Sequence, residues 1–272
     1  MFKRHGGIAL LSLAALAVAA SPAAAQYGAR PDSTRATGET YHVEAALGFW
    51  NPTPSILVSS EQFGIIGSQI DGVADLGFEK SRFTGFNVVL RPALKHKFRL
   101  NYTPIKYSAE AVFRRDIIFN GIRYNVGLPV ASELKWNAWR IGYEWDFLTR
   151  DRWFAGLILE AKITDVEVKL ESLLANEFAR AQAPIPAIGG IGRFYPVENV
   201  SATFELTAFH LPNIDEEYKA NYIDWDLYGT VNFSENFGAQ VGYRSFDVNY
   251  TVERDFGDLV LRGLYVNGVV RF

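Results

Sequence analysis

Alternation of apolar and polar side chains is the feature that most constrains the fold of this chain. In the final ten residues, "GLYVNGVVRF", the side chains of Leu264, Val266, Val270 and Phe272 share one parity, while the other parity is mostly polar. Successive side chains of a β-strand point to opposite faces, so this segment predicts a strand with one apolar and one polar face. The pattern alone leaves open whether the apolar face meets a protein core or lipid.

The same alternation recurs in the segments that begin at Tyr41, Asn137, Arg152, Val200 and Asn221. We predict ten strands, over residues 40–50, 81–92, 97–119, 130–147, 152–170, 185–196, 199–212, 220–233, 236–252 and 258–272. Eight strands remain an alternative, since residues 112–135 and 184–196 are ambiguous. The parity slips around Pro104, near Thr164 and near Arg244 and Ser245. An extra residue in a strand flips its faces, so we interpret these slips as β-bulges.

The first residues predict a secretory signal peptide over residues 1–25. Lys3 and Arg4 precede a short apolar run, which ends in small residues typical of a cleavage site before Gln26. We expect a flexible periplasmic lead-in over 26–39 and a barrel over 40–272. Beyond the signal, no apolar run is long enough for a membrane helix, which takes about 20 residues.

Composition narrows the function classes. The sequence has no cysteine, so a disulfide framework and a thiolate metal site are both excluded. The net charge of −3 argues against nucleic acid as a partner.

The connections between strands are of two kinds. Residues 92–97, 148–152, 196–199 and 234–236 form short polar links, whereas 51–80, 120–131, 171–184, 213–219 and 253–257 form longer ones. Short turns at one rim and longer loops at the other are typical of a membrane barrel. Trp50, Trp145 and Trp153 lie near strand ends, where aromatic side chains are expected at membrane interfaces.

Two of the longer links invite specific predictions. For residues 171–184 we favour a loop packed on the rim, and the helical spacing of Leu173, Leu174 and Phe178 makes a short surface helix the alternative prediction. The loop 51–80 is rich in apolar residues, so we expect it to fold onto the barrel mouth.

With its signal peptide, alternating strands and terminal aromatic residue, the chain resembles the β-barrel proteins of Gram-negative outer membranes. The resemblance implies an all-β, transmembrane, antiparallel up-and-down barrel in the outer membrane of the cell envelope, in contact with lipid and lipopolysaccharide. It also implies that the barrel-assembly machinery reads Leu264, Val266, Val270 and Phe272, although Gly268 interrupts that pattern. Independently, lipid cannot pair with backbone polar groups, so a sheet that crosses it must close on itself.

The predicted inward face is densely charged. We expect a lumen network formed by Glu44, Arg91, Arg99, Arg140, Glu144, Glu160, Lys162, Glu205, Asp224, Asp226, Arg244 and Arg271, with Asp146 and Arg193 also facing inward. An unpaired buried charge is costly, so a balanced set predicts a paired network that fills the lumen. A narrow channel, porin-like on a small scale, is the alternative.

An enzyme is the third hypothesis. Some barrels of this class are lipid-modifying hydrolases, and their chemistry needs a His-based arrangement near the outer rim. His210 is the candidate, with Asp215, Glu216 and Glu217 following it, but no paired-acid pattern typical of the ten-stranded barrel proteases accompanies it. We therefore predict no catalytic residue, no cofactor and no metal. The function predicted is structural or surface-interacting, with any extracellular ligand bound at loops 51–80 and 171–184.

Overall fold

A computed structural model describes residues 36–60, 65–127, 129–172, 176–214, 218–252 and 255–272. The predicted signal peptide therefore lies outside the described residues. The strands are β1 (Val43–Ser59), β2 (Ile70–Asp71), β3 (Phe83–Ala93), β4 (His96–Val112), β5 (Ile117–Phe119), β6 (Ile122–Tyr124), β7 (Pro129–Arg150), β8 (Trp153–Glu171), β9 (Asn176–Val197), β10 (Val200–Ile214), β11 (Tyr218–Asn232), β12 (Phe237–Val252) and β13 (Asp255–Arg271).

Ten of these strands close into one antiparallel barrel. The order runs β1–β3–β4–β7 and then consecutively to β13, which pairs back onto β1 from Glu44–Arg271 to Ser59–Phe256. Strand β2 adds to the upper end of β1, while β5 and β6 form a separate hairpin. The predicted fold class and the count of ten are confirmed, and the alternative of eight is wrong. No helix in the described part of the chain is long and apolar enough to span a membrane.

The two ends of the barrel differ. At the end that we call lower, four tight turns connect the strands, as predicted, and β13 ends beside the start of β1. At the upper end, the described parts of 60–82 and 113–128 are the long connections. Strands extend further upward than the sequence predicted, since β1 continues to Ser59 and β9 begins at Asn176.

The loop and the alternative helix predicted for 171–184 are both wrong over the described residues 176–184. Residues 176–184 belong to β9, which pairs with β8 up to Glu171–Asn176. Continuous pairing satisfies the backbone N–H and C=O groups, and this outweighs the helical spacing of three apolar side chains.

The outer face of the lower half is an apolar belt. Its large side chains are 39% exposed or more, and they include Leu47, Phe49, Leu90, Phe98, Ile141, Leu157, Leu159, Ile188, Phe194, Phe204, Leu206, Leu227, Val231, Val241, Leu264, Val266 and Phe272. Trp145 and Trp153 lie on this face at the lower rim. Trp50 does not, because it points inward, is 7% exposed and donates its indole N–H to the Gly263 carbonyl.

The three predicted β-bulges are wrong. The pairing of β4 with β7 is continuous through Pro104, that of β8 with β7 and β9 is continuous through Thr164, and that of β12 with β11 and β13 is continuous through Arg244 and Ser245. The side chains keep their alternation, and what changes is the polarity of each face. Above Arg244, for example, Phe246 and Val248 point inward and Asp247 points outward, whereas below it Tyr243 points outward.

The inversion of polarity marks the upper edge of the belt. Thr103 of β4 lies opposite Ala138 of β7, which lies opposite Thr164 of β8, so the change occurs at one level on these neighbouring strands. Strands of about 9 to 11 residues suffice to cross a bilayer, so the upper parts of these longer strands project beyond it.

Candidate functional site

The lower half of the barrel interior holds the charged residues that the sequence placed there. Nine of the twelve are less than 9% exposed, namely Glu44, Arg91, Arg140, Glu144, Glu160, Lys162, Glu205, Asp224 and Arg271. The other three, Arg99, Asp226 and Arg244, are partly buried. Asp146 and Arg193 are also buried inside.

Asp224 is the centre of this network. Its carboxylate accepts two hydrogen bonds from Arg244, at 3.0 and 2.8 Å, and one from Lys162 at 3.0 Å. The guanidinium of Arg140 lies 3.4 Å away, and the hydroxyl of Tyr222 donates to the same carboxylate at 3.1 Å. Hydrogen bonds of this charged kind are stronger than neutral ones, so the arrangement locks side chains from four strands together.

Glu205 extends the network across the barrel. It accepts from Arg140 at 2.7 Å and from Arg99 at 2.5 Å. Arg99 also contacts Glu144 at 3.3 Å, and Lys97 pairs with both Glu144 at 2.6 Å and Asp146 at 2.8 Å. Ion pairs therefore run without interruption from β4 to β12.

Two members of the interior set were missed from the sequence. Lys97 shares the parity of Arg99, which identifies it as inward-facing, but it lies where the predicted link 92–97 meets the predicted strand 97–119. Glu39 had been placed in the flexible lead-in, and no signal in the sequence indicates its burial. With both included, the described interior holds eight acids and eight bases.

Glu39 belongs to a segment that crosses the lower opening, which we call the strap (residues 36–42). Backbone N–H groups of Ala36 and Thr37 donate to the carbonyls of Asp151 and Glu198, in the β7–β8 and β9–β10 turns. The N–H of Gly38 donates to the carboxylate of Glu235 in the β11–β12 turn at 2.7 Å. The last residues of the predicted lead-in are therefore folded against the barrel.

The strap carboxylate lies between two arginines. Glu39 accepts from Arg193 at 2.8 Å and from the hydroxyl of Tyr195 at 2.6 Å, and Arg91 lies 3.3 Å away. Burial raises the pKa of Glu39, but Arg193, Lys97 and Arg91 together outweigh burial and lower that pKa to about 2. Glu39 is thus ionised at every physiological pH.

A polar cavity of about 100 Å³ remains within the lower half. Its lining includes Trp50, Asn87, Asn101, Gln240, Arg244 and Asn267, and Tyr41 of the strap also lines it. Several water molecules fit, since each needs roughly 10–15 Å³ and polar partners.

Apolar side chains fill the upper half. Connections between strands supply the apolar plug (Ile70, Leu76, Phe78, Phe113, Ile117, Phe119 and Tyr124), all at most 2% exposed. Phe78 stacks on Tyr107 of the wall with ring centroids 5.7 Å apart, and Trp136 packs on Phe246 at 4.7 Å. The prediction that the first long loop folds onto the mouth is confirmed, although the loop begins after Ser59 rather than after Trp50.

The predicted assembly residues lie on the outer face of β13. Leu264, Val266 and Phe272 are 61, 54 and 72% exposed, and Val270 is partly buried on the same face. Their position leaves them accessible in the belt, and their recognition by the assembly machinery stays a prediction.

His210 does not face the lumen. It lies on the outward parity of β10, directly opposite Asn221 of β11, and its side chain is exposed. Asp215, Glu216 and Glu217 lie outside the described residues.

Comparison with known proteins supports the fold and nothing finer. No family model and no curated protein matches this chain. Among solved structures, the outer-membrane protease OmpT from Escherichia coli matches with a TM-score of 0.57 and 10% identity, over 85% of this chain and 96% of OmpT. Ail of Yersinia pestis (TM-score 0.37, 8% identity, 84% and 99% covered) and the toluene transporter TodX of Pseudomonas putida (0.36, 8%, 85% and 90%) are also similar. TM-scores below 0.5 add nothing to the assignment.

The closed ten-stranded barrel and its apolar belt define the class. This chain has the fold of the β-barrel proteins of Gram-negative outer membranes. In membrane barrels of this class the short turns face the periplasm and the longer loops face the cell exterior, and the lower and upper ends of this barrel carry connections of these two kinds. At 10% identity, the likeness to OmpT concerns the fold and says nothing of proteolysis.

Proposed function

We propose that this protein is a closed outer-membrane barrel with a structural or surface-interaction role, and that solutes do not pass through it. The observation that carries the proposal is the double filling of the interior. Ion-paired side chains fill the periplasmic half, with the strap beneath them, and the apolar plug fills the extracellular half.

The extracellular end offers a surface for the interaction. Ile66, Val112, Val126 and Phe178 are 70, 59, 56 and 59% exposed there, above the belt, where the outer face of the barrel is otherwise polar. Exposed apolar side chains at a polar surface favour contact with another molecule. Lys106 and Lys135 lie opposite each other on the outer face just above the belt, where both pair with Glu133 and leave a net positive charge that suits the phosphates of lipopolysaccharide.

Single-channel recording in a planar bilayer tests the proposal. The refolded protein (residues 26–272) should give no current steps, while flotation with liposomes and a heat-dependent shift in gel mobility show that it is inserted and folded. Discrete steps from that preparation would overturn the closed barrel.

A small pore is the second candidate, favoured by the polar cavity of about 100 Å³. If current steps are seen, Arg140→Gln and Glu160→Gln should shift the ion selectivity in opposite directions, because each removes one sign of charge from the lumen.

The proposal includes no catalytic residue. A hydrolase that uses His210 would need a nucleophile and a lumen or rim pocket beside it, and His210 points outward, away from the lumen. A lipid-hydrolysis activity lost in His210→Ala would restore that hypothesis.

A further inference from the structure

The two arginines around Glu39 are held in place by the barrel itself. Arg193 donates to Thr203 at 2.9 Å and to the hydroxyl of Tyr228 at 3.3 Å. Arg91 donates to the Leu94 carbonyl at 3.3 and 3.0 Å. Both guanidinium groups therefore keep their positions without the strap, and a binding site whose donors are fixed in advance loses little entropy when it is filled.

These arginines depend on Glu39 for their neutralisation. Within the described residues, Glu39 is the carboxylate in ion-pair contact with Arg91 and with Arg193, whereas the other interior cations have partners on the barrel strands. Arg91, Arg193 and Tyr195 are 2, 5 and 1% exposed. Without the strap, the two cations and the hydroxyl donor would converge on a position that holds no carboxylate, and the two like charges would repel each other.

The occupant of this position comes from outside the barrel wall. The strap has no strand pairing over residues 36–42. It is held by hydrogen bonds to three turns, two of them to the carboxylate of Glu235, and by backbone hydrogen bonds of His42 at its end. Its Tyr41 contacts the guanidinium groups of Arg91 and Arg271, at 5.2 and 5.8 Å from the ring centre, and forms the floor of the polar cavity. A displaced strap would open both the arginine pair and the cavity to the periplasm.

We propose that Arg91, Arg193 and Tyr195 form a carboxylate-binding site at the periplasmic end, and that Glu39 is its built-in occupant. The strap closes the site by supplying the same chemical group that the site would take from a carboxylate-bearing molecule in the periplasm. Planar guanidinium groups and a hydroxyl donor match a carboxylate in geometry as well as in charge.

Acetate is the probe for the empty site. In Glu39→Ala the carboxylate is missing, and acetate should raise the melting temperature of the folded barrel relative to chloride at equal ionic strength. The native chain should respond less to acetate, since acetate must compete with Glu39 for the site. Equal responses to acetate and chloride in Glu39→Ala would overturn the proposal.

Cysteine labelling tests the strap as a lid, because the sequence contains no cysteine of its own. Ala36 is 3% exposed, so Ala36→Cys should react slowly with a maleimide, whereas Lys95→Cys in an exposed turn should react fast. Adding Glu39→Gln should speed the labelling of Cys at position 36 about tenfold or more, since hydrogen bonds to charged groups are worth that much. Acetate should also speed it in the chain that retains Glu39.

Each contrary result is informative. Labelling at position 36 as fast as at position 95 would show that the strap does not close the site. A second contrary result is a labelling rate at position 36 that is the same with and without Glu39→Gln, and with and without acetate. That result would show that the strap is held by its other contacts, and it would refute the carboxylate site. Neither result bears on whether the barrel conducts, which the bilayer recording decides separately.

Discussion

The lower and upper halves of this barrel are built from the same ten strands, yet they have opposite interiors. Below the edge of the belt, the outer face is apolar and the inside is charged, whereas above it the outer face is polar and the inside is an apolar core. The comparison shows that the solvent outside each half decides what can fill it. Where water surrounds the wall, burial of apolar side chains must drive the packing. Where lipid surrounds it, the closed ring of backbone hydrogen bonds holds the wall, so the interior is free to be polar.

The largest effect should come from the charged half. Arg140→Met removes the cation shared by Glu160, Glu205 and Asp224, and breaking buried ion pairs by removing one partner costs about 3–5 kcal/mol. Urea unfolding of the protein in lipid vesicles would measure this loss of unfolding free energy. Lys106→Met, which removes an outward cation, is the control and should change the midpoint little. Equal midpoints for the two variants would mean that the network does not stabilise the lower half.

The apolar half should respond to loss of volume. Phe78→Ala removes a ring of the apolar plug, which is 2% exposed, and should cost about 3 kcal/mol because a cavity replaces its contacts. Ile66→Ala, at a side chain that is 70% exposed, should change stability by less than about 0.5 kcal/mol. A small effect at Phe78 would show that the plug is not a core.

The boundary between the halves can be located from outside. Val266→Arg places a charge within the belt and should cost about 2 kcal/mol or more, whereas Val260→Arg, nearer the upper edge, should cost about 0–1 kcal/mol. Unfolding in vesicles gives both values. If the two variants are equally destabilised, the inversion of polarity does not coincide with the edge of the bilayer.

The smallest effect should come from the strap, and it depends on pH. Glu39→Gln should cost about 1.5 kcal/mol at neutral pH, the lower end of the range for a hydrogen bond to a charged group. The pKa of Glu39 is lowered from 4.5 to about 2 in the folded state, so this stabilisation is fully present above about pH 4.5 and is lost as the pH falls toward 2. The difference between the unfolding midpoints of the two proteins should therefore be smaller at pH 3 than at pH 7. An equal difference between the two midpoints at both pH values would contradict a stabilising role for the ionised carboxylate of Glu39.

The sequence predicted which charged residues face the interior, but it did not predict which of them contact each other. The parity of Arg140, Glu160 and Asp224 placed each on the inward face, because alternation is a local property of a strand. It could not show that Arg140 contacts Glu205, which is 65 residues away, since such pairs depend on how far each strand slides past its neighbour. Glu39 was missed for the same reason, as its partners lie 52 and 154 residues along the chain.

By itself, the sequence predicted a closed barrel of outward apolar strands, because alternating strands that cross lipid can satisfy their backbone groups only in a sheet that closes on itself. It also contained the inversion of polarity, which we misinterpreted as bulges at Pro104, Thr164 and Arg244. Only the tertiary structure distinguished an inversion of polarity from β-bulges. A β-bulge and a change of the surrounding solvent produce the same shift in the alternation of apolar and polar residues. The continuous pairing of neighbouring strands shows that the shift is a change of solvent.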